Sequence, residues 1–385
     1  LLDGTPAHIL NAMRILFDHQ VFSWQAYGGI SRYFTELMRA LIALEQEVLL
    51  PENFFSENAY LRAVPAFRRK SLTRFPFKGK KWLQNRLGRR ESLASMRSRP
   101  QVFHPTYFDP YFLESVAEHN IPFVLTIHDM IHEIYSHGDR GCFSLDARVV
   151  EHKRLLAEKS AAIIAVSEQT RQDILRFYPQ IDPDKIHVAY HGNSLHPVAE
   201  GNQLDLPARY LLFVGGRKGY KNFAWMVENL AKLLKKEQNL YLVCVGGGPF
   251  EVSEIEHLTK WGLSGKVVYL NVRSDVALAE TYRRATCFVF PSRYEGFGIP
   301  VLEAFACDCP VLLHRSSSLP EVGGDAALYF NESQPETLAN ALSHLLPDNA
   351  LRTQLIIEGQ KRLRQFTWEQ SAKVHHAVYQ LIMKK

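Results

Sequence analysis

The feature that most limits how this chain can fold is a succession of apolar runs too short to be helices. They are Arg14–Phe17, Phe123–Ile127, Ala162–Val166, Leu211–Val214, Leu240–Val245, Val267–Leu270, Cys287–Phe290 and Val311–Leu313. Such runs, apolar without alternation, suit strands buried on both faces. Most are separated by stretches with a helical period. After the Tyr27-Gly28-Gly29 turn, for example, Ile30, Phe34, Leu37, Met38 and Leu41 make one stripe. This alternation predicts an α/β fold with parallel sheets covered by helices.

At 385 residues the chain exceeds the roughly 100–200 usual for one domain. The pattern breaks near 193–208, where Asn193-Ser194-Leu195-His196-Pro197 opens a polar stretch, and a new βα unit starts at Tyr210. We therefore expect two Rossmann-like lobes, 13–195 and 208–369, with parallel sheets facing an interdomain cleft. Ligands of open α/β sheets bind beyond the carboxyl ends of the strands, so the cleft is the expected active site. Residues 1–12 show no period and are expected to be foreign to the fold.

No apolar run approaches the ~20 residues that span a bilayer. The five cysteines, Cys142, Cys244, Cys287, Cys307 and Cys309, contain no CxxC pair. That usage suits a reducing compartment, and we expect a cytoplasmic protein with no structural metal. Asp182-Pro183-Asp184 looks like a metal-binding DxD but precedes the short strand starting at Ile186, and is read as a loop. Val245-Gly246-Gly247-Gly248-Pro249 does not make the G-x-G-x-x-G turn of a dinucleotide oxidoreductase.

Charge is unevenly spread. Residues 62–99 carry a net +12, leaving −7 for the rest. Phe67, Phe75, Phe77, Trp82 and Leu83 interleave with this basic charge. Two readings fit: a peripheral contact with anionic lipid at the inner face of the cell membrane, or a solvated excursion of the first lobe. Nucleic acid is not an expected partner, because no recognition module accompanies the charge.

The densest chemistry lies at Pro291-Ser-Arg-Tyr-Glu295-Gly296-Phe297-Gly298-Ile299-Pro300-Val-Leu-Glu303. A glycine-bearing turn leads from a strand into a helix with proline in its first turn. Backbone amides from Gly296 to Ile299, with the positive end of the helix dipole, can hold a diphosphate. Glu303 sits one turn inside, where a side chain leans back toward the helix start and can meet ribose hydroxyls. Glu295, in the turn, can reach a transferred sugar. Two isolated glutamates would be read as solvated surface acids, but the glycines and proline around these two argue otherwise. Arg217 and Lys221, after the first strand of the second lobe, would stabilise charge on a departing diphosphate. His128 and Asp129 end a buried strand in the first lobe, where His128 could bond the donor sugar and Asp129 orient it. Gly28 and Gly29 permit close approach of the backbone to donor or acceptor.

These motifs resemble the retaining GT-B glycosyltransferases of family GT4 (group 1). The E-x7-E spacing, the EGFG turn, the basic pair, the early Gly-Gly loop, His128 and the Ser317–Phe330 stretch carry the resemblance. GGISRYF and IHDMIH are most similar to members that build bacterial O-antigen, part of lipopolysaccharide, or exopolysaccharide. The resemblance implies a hexose moved from a nucleotide-sugar, GDP-mannose or a UDP-hexose, to a glycan or lipid-linked acceptor with retention and without a metal cofactor. It assigns ribose to Glu303, donor sugar to Glu295 and His128, and diphosphate to Arg217 and Lys221. Base contacts would come from the Asn271–Asp275 loop through the backbone of Val272. A C-terminal helix, 370–385, would cross back to the first lobe. A sugar-nucleotide epimerase or hydrolase of similar fold, or an inactive donor-binding subunit, are the competing classes.

Overall fold

The computed structural model describes residues 12–71, 78–135, 147–197 and 204–384. Residues 1–11, Phe75 and Phe77 of the basic segment, Cys142, and 198–203 of the expected hinge lie outside the described residues. Two compact units emerge. One gathers the described parts of the chain up to Glu133, from 147 to His191, and from Trp368 onward; the other contains Gly192–Thr367.

The first unit contains β1 (Arg14–Phe17), β2 (Glu47–Leu49), β3 (Val102–His104), β4 (Val124–Ile127), β5 (Ala162–Ala165) and β6 (Ile186–Val188). They form two parallel three-stranded sheets, β2-β1-β3 and β4-β5-β6, joined by a parallel bridge between Phe103 and Phe123. The Gly29–Ala43 helix buries Tyr33, Phe34, Leu37, Met38 and Leu41, the stripe its sequence carries. The Trp368–Met383 helix packs on it and buries Ala372, His375, Val378 and Tyr379.

A buried polar chain ties that C-terminal helix to the strands. His375 donates through Nδ1 to the Ser371 carbonyl (2.7 Å) and faces the Tyr33 hydroxyl through Nε2 at 2.7 Å. Tyr33 meets Thr126 Oγ1 at 3.3 Å. Thr126 meets His104 Nε2 at 2.9 Å, and His104 Nδ1 meets the Tyr379 hydroxyl at 2.7 Å. One proton order satisfies every link: Tyr379 donates to His104, His104 to Thr126, Thr126 to Tyr33, and Tyr33 to His375. It requires both histidines to be neutral. Burial favours that form, holding His375 down to about 4 and His104 well below the ordinary histidine range.

The second unit contains β7 (Tyr210–Val214), β8 (Tyr241–Val245), β9 (Val267–Leu270), β10 (Cys287–Phe290), β11 (Val311–His314) and β12 (Ala327–Phe330). They make one sheet in the order β12-β11-β10-β7-β8-β9, every pair parallel. Its winding reverses between β7 and β10, the doubly wound arrangement whose ligands sit beyond the strand ends at the reversal. The Phe223–Lys236 helix buries Phe223, Met226, Val227, Leu230 and Leu234, a helical stripe laid on the sheet. Both units are thus the Rossmann-like α/β layers that the alternation of runs predicts.

Asp182 acts locally, its carboxylate accepting from the Asp184 amide at 3.0 Å to cap the short turn Pro183–Lys185. The basic segment is helical over Lys80–Ser95. Its inner face is Gln84, Gly88 and Ser92, small enough for His19 to lie against it, with His19 Nδ1 2.8 Å from Ser92 Oγ and Nε2 3.1 Å from Asn85 Oδ1. A β-carbon at Gly88 would fall 2.3 Å from the His19 ring.

Candidate active site

The reversal point of the second unit is built from two loops. One runs from Gly215 to Asn222 after β7; the other runs from Pro291 to Gly298 after β10 and opens the Ile299–Ala306 helix. They are stitched together: the Arg293 amide donates to the Tyr220 carbonyl at 2.8 Å, and Lys221 Nζ reaches Glu295 Oε1 at 2.6 Å. Lys221 lies 5.0 Å over the Tyr220 ring and 5.5 Å over that of Phe290. Burial works against its charge, but Glu295 and Tyr220 outweigh it, so Lys221 stays protonated with its pKa raised.

A second clamp fixes the Glu295 turn from β11. Ser317 Oγ accepts from the Glu295 amide at 2.8 Å. Ser318 Oγ lies 2.9 Å from the Glu295 carbonyl and 2.8 Å from that of Phe297. Gly298 then begins the helix at φ 108°, a conformation side chains rarely adopt, and gives no side-chain cap. A β-carbon there would come within 3.0 Å of Leu319. The helix start is therefore backbone only, which is the requirement for close approach by an anion. Glu303 is buried in this helix, and its Oε2 accepts from the Tyr282 hydroxyl at 3.1 Å. Burial first, then Glu303, raises Tyr282 well above the ordinary tyrosine range, so the phenol remains a donor.

Arg217 has a different set of partners from the diphosphate expected of it. Its guanidinium holds Glu254 through Nε at 2.7 Å and Nη2 at 3.1 Å, and donates to the carbonyls of Gly246 (2.8 Å) and Pro249 (3.0 Å). It also lies 4.8 Å over the Phe250 ring. This buried arginine braces the loop after β8 against the loop after β7. The two backbones nearly touch: a β-carbon on Gly246 would sit 3.2 Å from the Gly215 carbonyl oxygen. Val272 is half-buried in the loop after β9, just ahead of Ser274, which caps the Asp275–Arg284 helix by accepting from Ala277 at 3.2 Å.

In the first unit His128 and Asp129 follow β4. The Asp129 carboxylate accepts from the Ile131 amide at 3.1 Å, and its carbonyl accepts from Lys153 Nζ at 3.1 Å. Lys153 is fully buried beside Glu133 at 2.9 Å, and Glu133 also accepts from the Tyr178 hydroxyl at 2.6 Å. The strand end is thus held by an ion pair that no short motif announces. His128 stands edge-on to Tyr33, centroids 4.7 Å apart. Burial holds it neutral, down to about 4, and its buried Nε2 has no hydrogen-bond partner among the described residues. Buried polar atoms are normally satisfied, so this nitrogen is an exception at the strand end. At the Gly28 turn the Gln25 side chain folds over the backbone, accepting from the Ser31 amide at 3.1 Å. A β-carbon on Gly28 would lie 2.3 Å from that amide oxygen, whereas Gly29 has open space within 4 Å.

Sequence comparison matches this division. Residues 27–196 match the model of Glycosyltransferase Family 4, and residues 199–362 that of Glycosyl transferases group 1. The chain belongs to the family 4, group 1 glycosyltransferases. The transferase is 27% identical to O-antigen chain mannosyltransferase B of Escherichia coli over 96% of this chain and 100% of the relative. It is 26% identical to D-inositol 3-phosphate glycosyltransferase of Corynebacterium diphtheriae over 68% of this chain and 65% of the relative. Its fold is like sucrose-phosphate synthase from Thermosynechococcus elongatus, with TM-score 0.73 and 20% identity over 97% of this chain and 99% of that one. It is also like Anabaena HepE in complex with UDP and glucose, with TM-score 0.69 and 16% identity over 97% and 98% of the two chains. These likenesses give the transferase the GT-B fold that its motifs imply.

Ser317, Ser318, Tyr282 and Glu254 support the site without standing out as functional residues in the sequence. The serine run 316–318 before Leu319-Pro320 is the one local signal. Nothing near Tyr282 or Glu254 marks a partner so distant along the chain.

Proposed function

We propose that the transferase moves a hexose, with retention, from a nucleoside-diphosphate sugar to a glycan or lipid-linked acceptor in bacterial surface polysaccharide synthesis. The observation that carries this is the joining of Lys221 and Glu295, 2.6 Å apart, at a backbone-only helix start on the reversal point of the sheet. That arrangement offers amides and one ammonium to a diphosphate and one carboxylate to the sugar it carries. Glu303, one turn in, suits the ribose, and the backbone around Val272 suits the base. Arg217 acts as a positioning residue for the glycine loops. His128, from the first unit, offers a neutral imidazole to sugar hydroxyls.

The chemistry we assign is front-face displacement. The acceptor oxygen bonds to the anomeric carbon as the bond to the diphosphate breaks. The departing diphosphate oxygen takes the acceptor proton, giving glycoside and nucleoside diphosphate. Lys221 stabilises the charge gained by the leaving group, so no metal cofactor is assigned to the step. The mannosyltransferase relative favours GDP-mannose as donor; the UDP-bound neighbour keeps UDP-hexoses in the panel.

Transfer assays with both donor classes, with and without EDTA, test the reading. Expected are nucleoside diphosphate release that needs acceptor, an EDTA-insensitive rate, and a product of unchanged anomeric configuration by proton NMR. Lys221→Ala should mainly lower kcat, and Glu303→Ala should mainly raise the donor KM. Epimerised or merely hydrolysed donor would favour the competing enzyme class, and unchanged kinetics in both variants would remove the site.

The acceptor side is proposed to work at an anionic lipid surface. Lys81, Arg86, Arg89, Arg90, Arg97 and Arg99 are exposed, and none makes an ion pair among the described residues. Each basic group near such a surface contributes about 1 kcal/mol. Co-sedimentation with vesicles containing phosphatidylglycerol should be strong at low salt and lost at high salt. No helix of the described residues is long and apolar enough to cross a membrane.

A further inference from the structure

Beyond the carboxyl end of β1 lies a cavity of about 980 Å³ that the donor chemistry leaves unused. The short Gln20–Trp24 helix, the Gly28 turn and the start of the Lys80–Ser95 helix enclose it. Trp24, Tyr27 and Trp82 line it while remaining 41%, 72% and 64% exposed. Large exposed rings gathered around one concavity mark a binding surface rather than a core. Each ring is braced by a neighbour: Trp24 edge-on to Tyr107 at 5.0 Å, Tyr27 edge-on to Tyr60 at 6.2 Å, and Trp82 beneath Arg86 at 5.3 Å. They can therefore offer a face to a ligand with little loss of freedom.

The groups between the rings are polar. Glu57 takes Lys80 at 2.6 Å and the Ser71 hydroxyl at 2.8 Å on one wall. Gln25 and Gln84 supply amides, and Ser23 also lines the space. A lipid tail would want an apolar wall throughout. A pyranose has an apolar C–H face for an aromatic ring and a rim of hydroxyls for amides, carboxylate and ammonium. The alternation of rings and polar groups matches that pattern.

We propose that this cavity is the acceptor-glycan subsite and that it binds two or more consecutive pyranose units on Trp24, Tyr27 and Trp82. The proposal rests on the transferase reading and adds that the acceptor is an oligosaccharide chain, held by its sugars. Position supports it, because ligands of open parallel sheets bind past the carboxyl ends of their strands.

The test is tryptophan fluorescence of the full chain titrated with manno-, gluco-, galacto- and N-acetylglucosamine oligosaccharides of one to five units. Nucleoside diphosphates are run in parallel by thermal shift. Expected is a saturable change with one series, tightening from monosaccharide to trisaccharide. Trp82→Ala and Tyr27→Ala should each weaken it about tenfold or more while the nucleotide-induced shift stays unchanged; Trp82→Phe should retain most of the affinity. A chain that responds to nucleotide but shows no saturable change with any series overturns the subsite and leaves the transferase standing. Unaltered glycan affinity in both alanine variants overturns it too. Loss of the nucleotide response in the wild type counts against the transferase reading instead.

Discussion

Lowering the pH from 7.5 to 5.0 should destabilise the first unit, and the buried histidines set the size of the effect. His128 and His375 each titrate near 4 in the folded chain, because burial opposes their charged form, against 6.5 for an unperturbed histidine. The folded-state pKa is depressed, so the unfolded chain binds more protons between these values. Stability is therefore complete above 6.5 and falls as the pH drops toward 4. At pH 5.0 the two-state expression gives a loss of about 2 kcal/mol per histidine, or about 4 kcal/mol for the pair. His104 and His191 are shifted the same way, again chiefly by burial, so they add to the loss. For a unit of this size that corresponds to a fall in Tm on the order of 10 °C. Scanning calorimetry across the range should show one transition moving by this amount. His128→Asn and His375→Gln should each flatten the slope by removing one titrating group. A transition that stays within about 1 kcal/mol between pH 7.5 and 5.0 would refute neutral burial of these rings, and with it the proton order from Tyr379 to Ser371.

Three further outcomes follow from particular contacts. Arg217→Ala leaves two carbonyls and the Glu254 carboxylate without the guanidinium, though Glu254 keeps the Glu251 amide at 2.8 Å, and should cost about 1–3 kcal/mol in urea unfolding; Arg217→Lys should recover little, since one ammonium cannot reproduce the fork. Lys153→Met leaves Glu133 buried beside Tyr178 without its cation and should destabilise by about 3–5 kcal/mol; a loss under 1 kcal/mol would mean that the pair is solvated. Gly298→Ala forces a side chain into φ 108° against Leu319, so it should lower Tm by a few degrees and weaken nucleoside-diphosphate affinity in calorimetric titration by tenfold or more, about 1.4 kcal/mol.

Much of the fold is written locally. β7, β8, β10 and β11 are central strands buried along nearly their whole length, so each shows as an uninterrupted apolar run. Glu47–Leu49 escapes such reading because it is a three-residue edge strand with an exposed glutamate. Val102–His104 escapes because its last residue is a histidine, buried only through partners at Thr126 and Tyr379. Glu295, Glu303 and Lys221 have a setting that is sequential: glycines, a first-turn proline and a strand end. Arg217 shares that setting, but its partners are not sequential. Its neighbours along the chain suggest phosphate, and only folding brings Glu254 to it across 37 positions. The buried pair of Lys153 and Glu133 and the clamp from Ser317 and Ser318 depend likewise on contacts between separate elements.

The central claim is that the second unit holds a nucleoside diphosphate at the start of the Ile299–Ala306 helix. Thermal shift of the full chain with UDP, GDP, ADP and CMP, with and without EDTA, on wild type and Glu303→Ala, tests it most directly. A ligand that binds the folded state alone raises Tm according to its affinity. The account predicts a rise with one of the diphosphates, unaffected by EDTA and much reduced in Glu303→Ala. No rise with any nucleotide at millimolar concentration, or an equal rise in the variant, would contradict it.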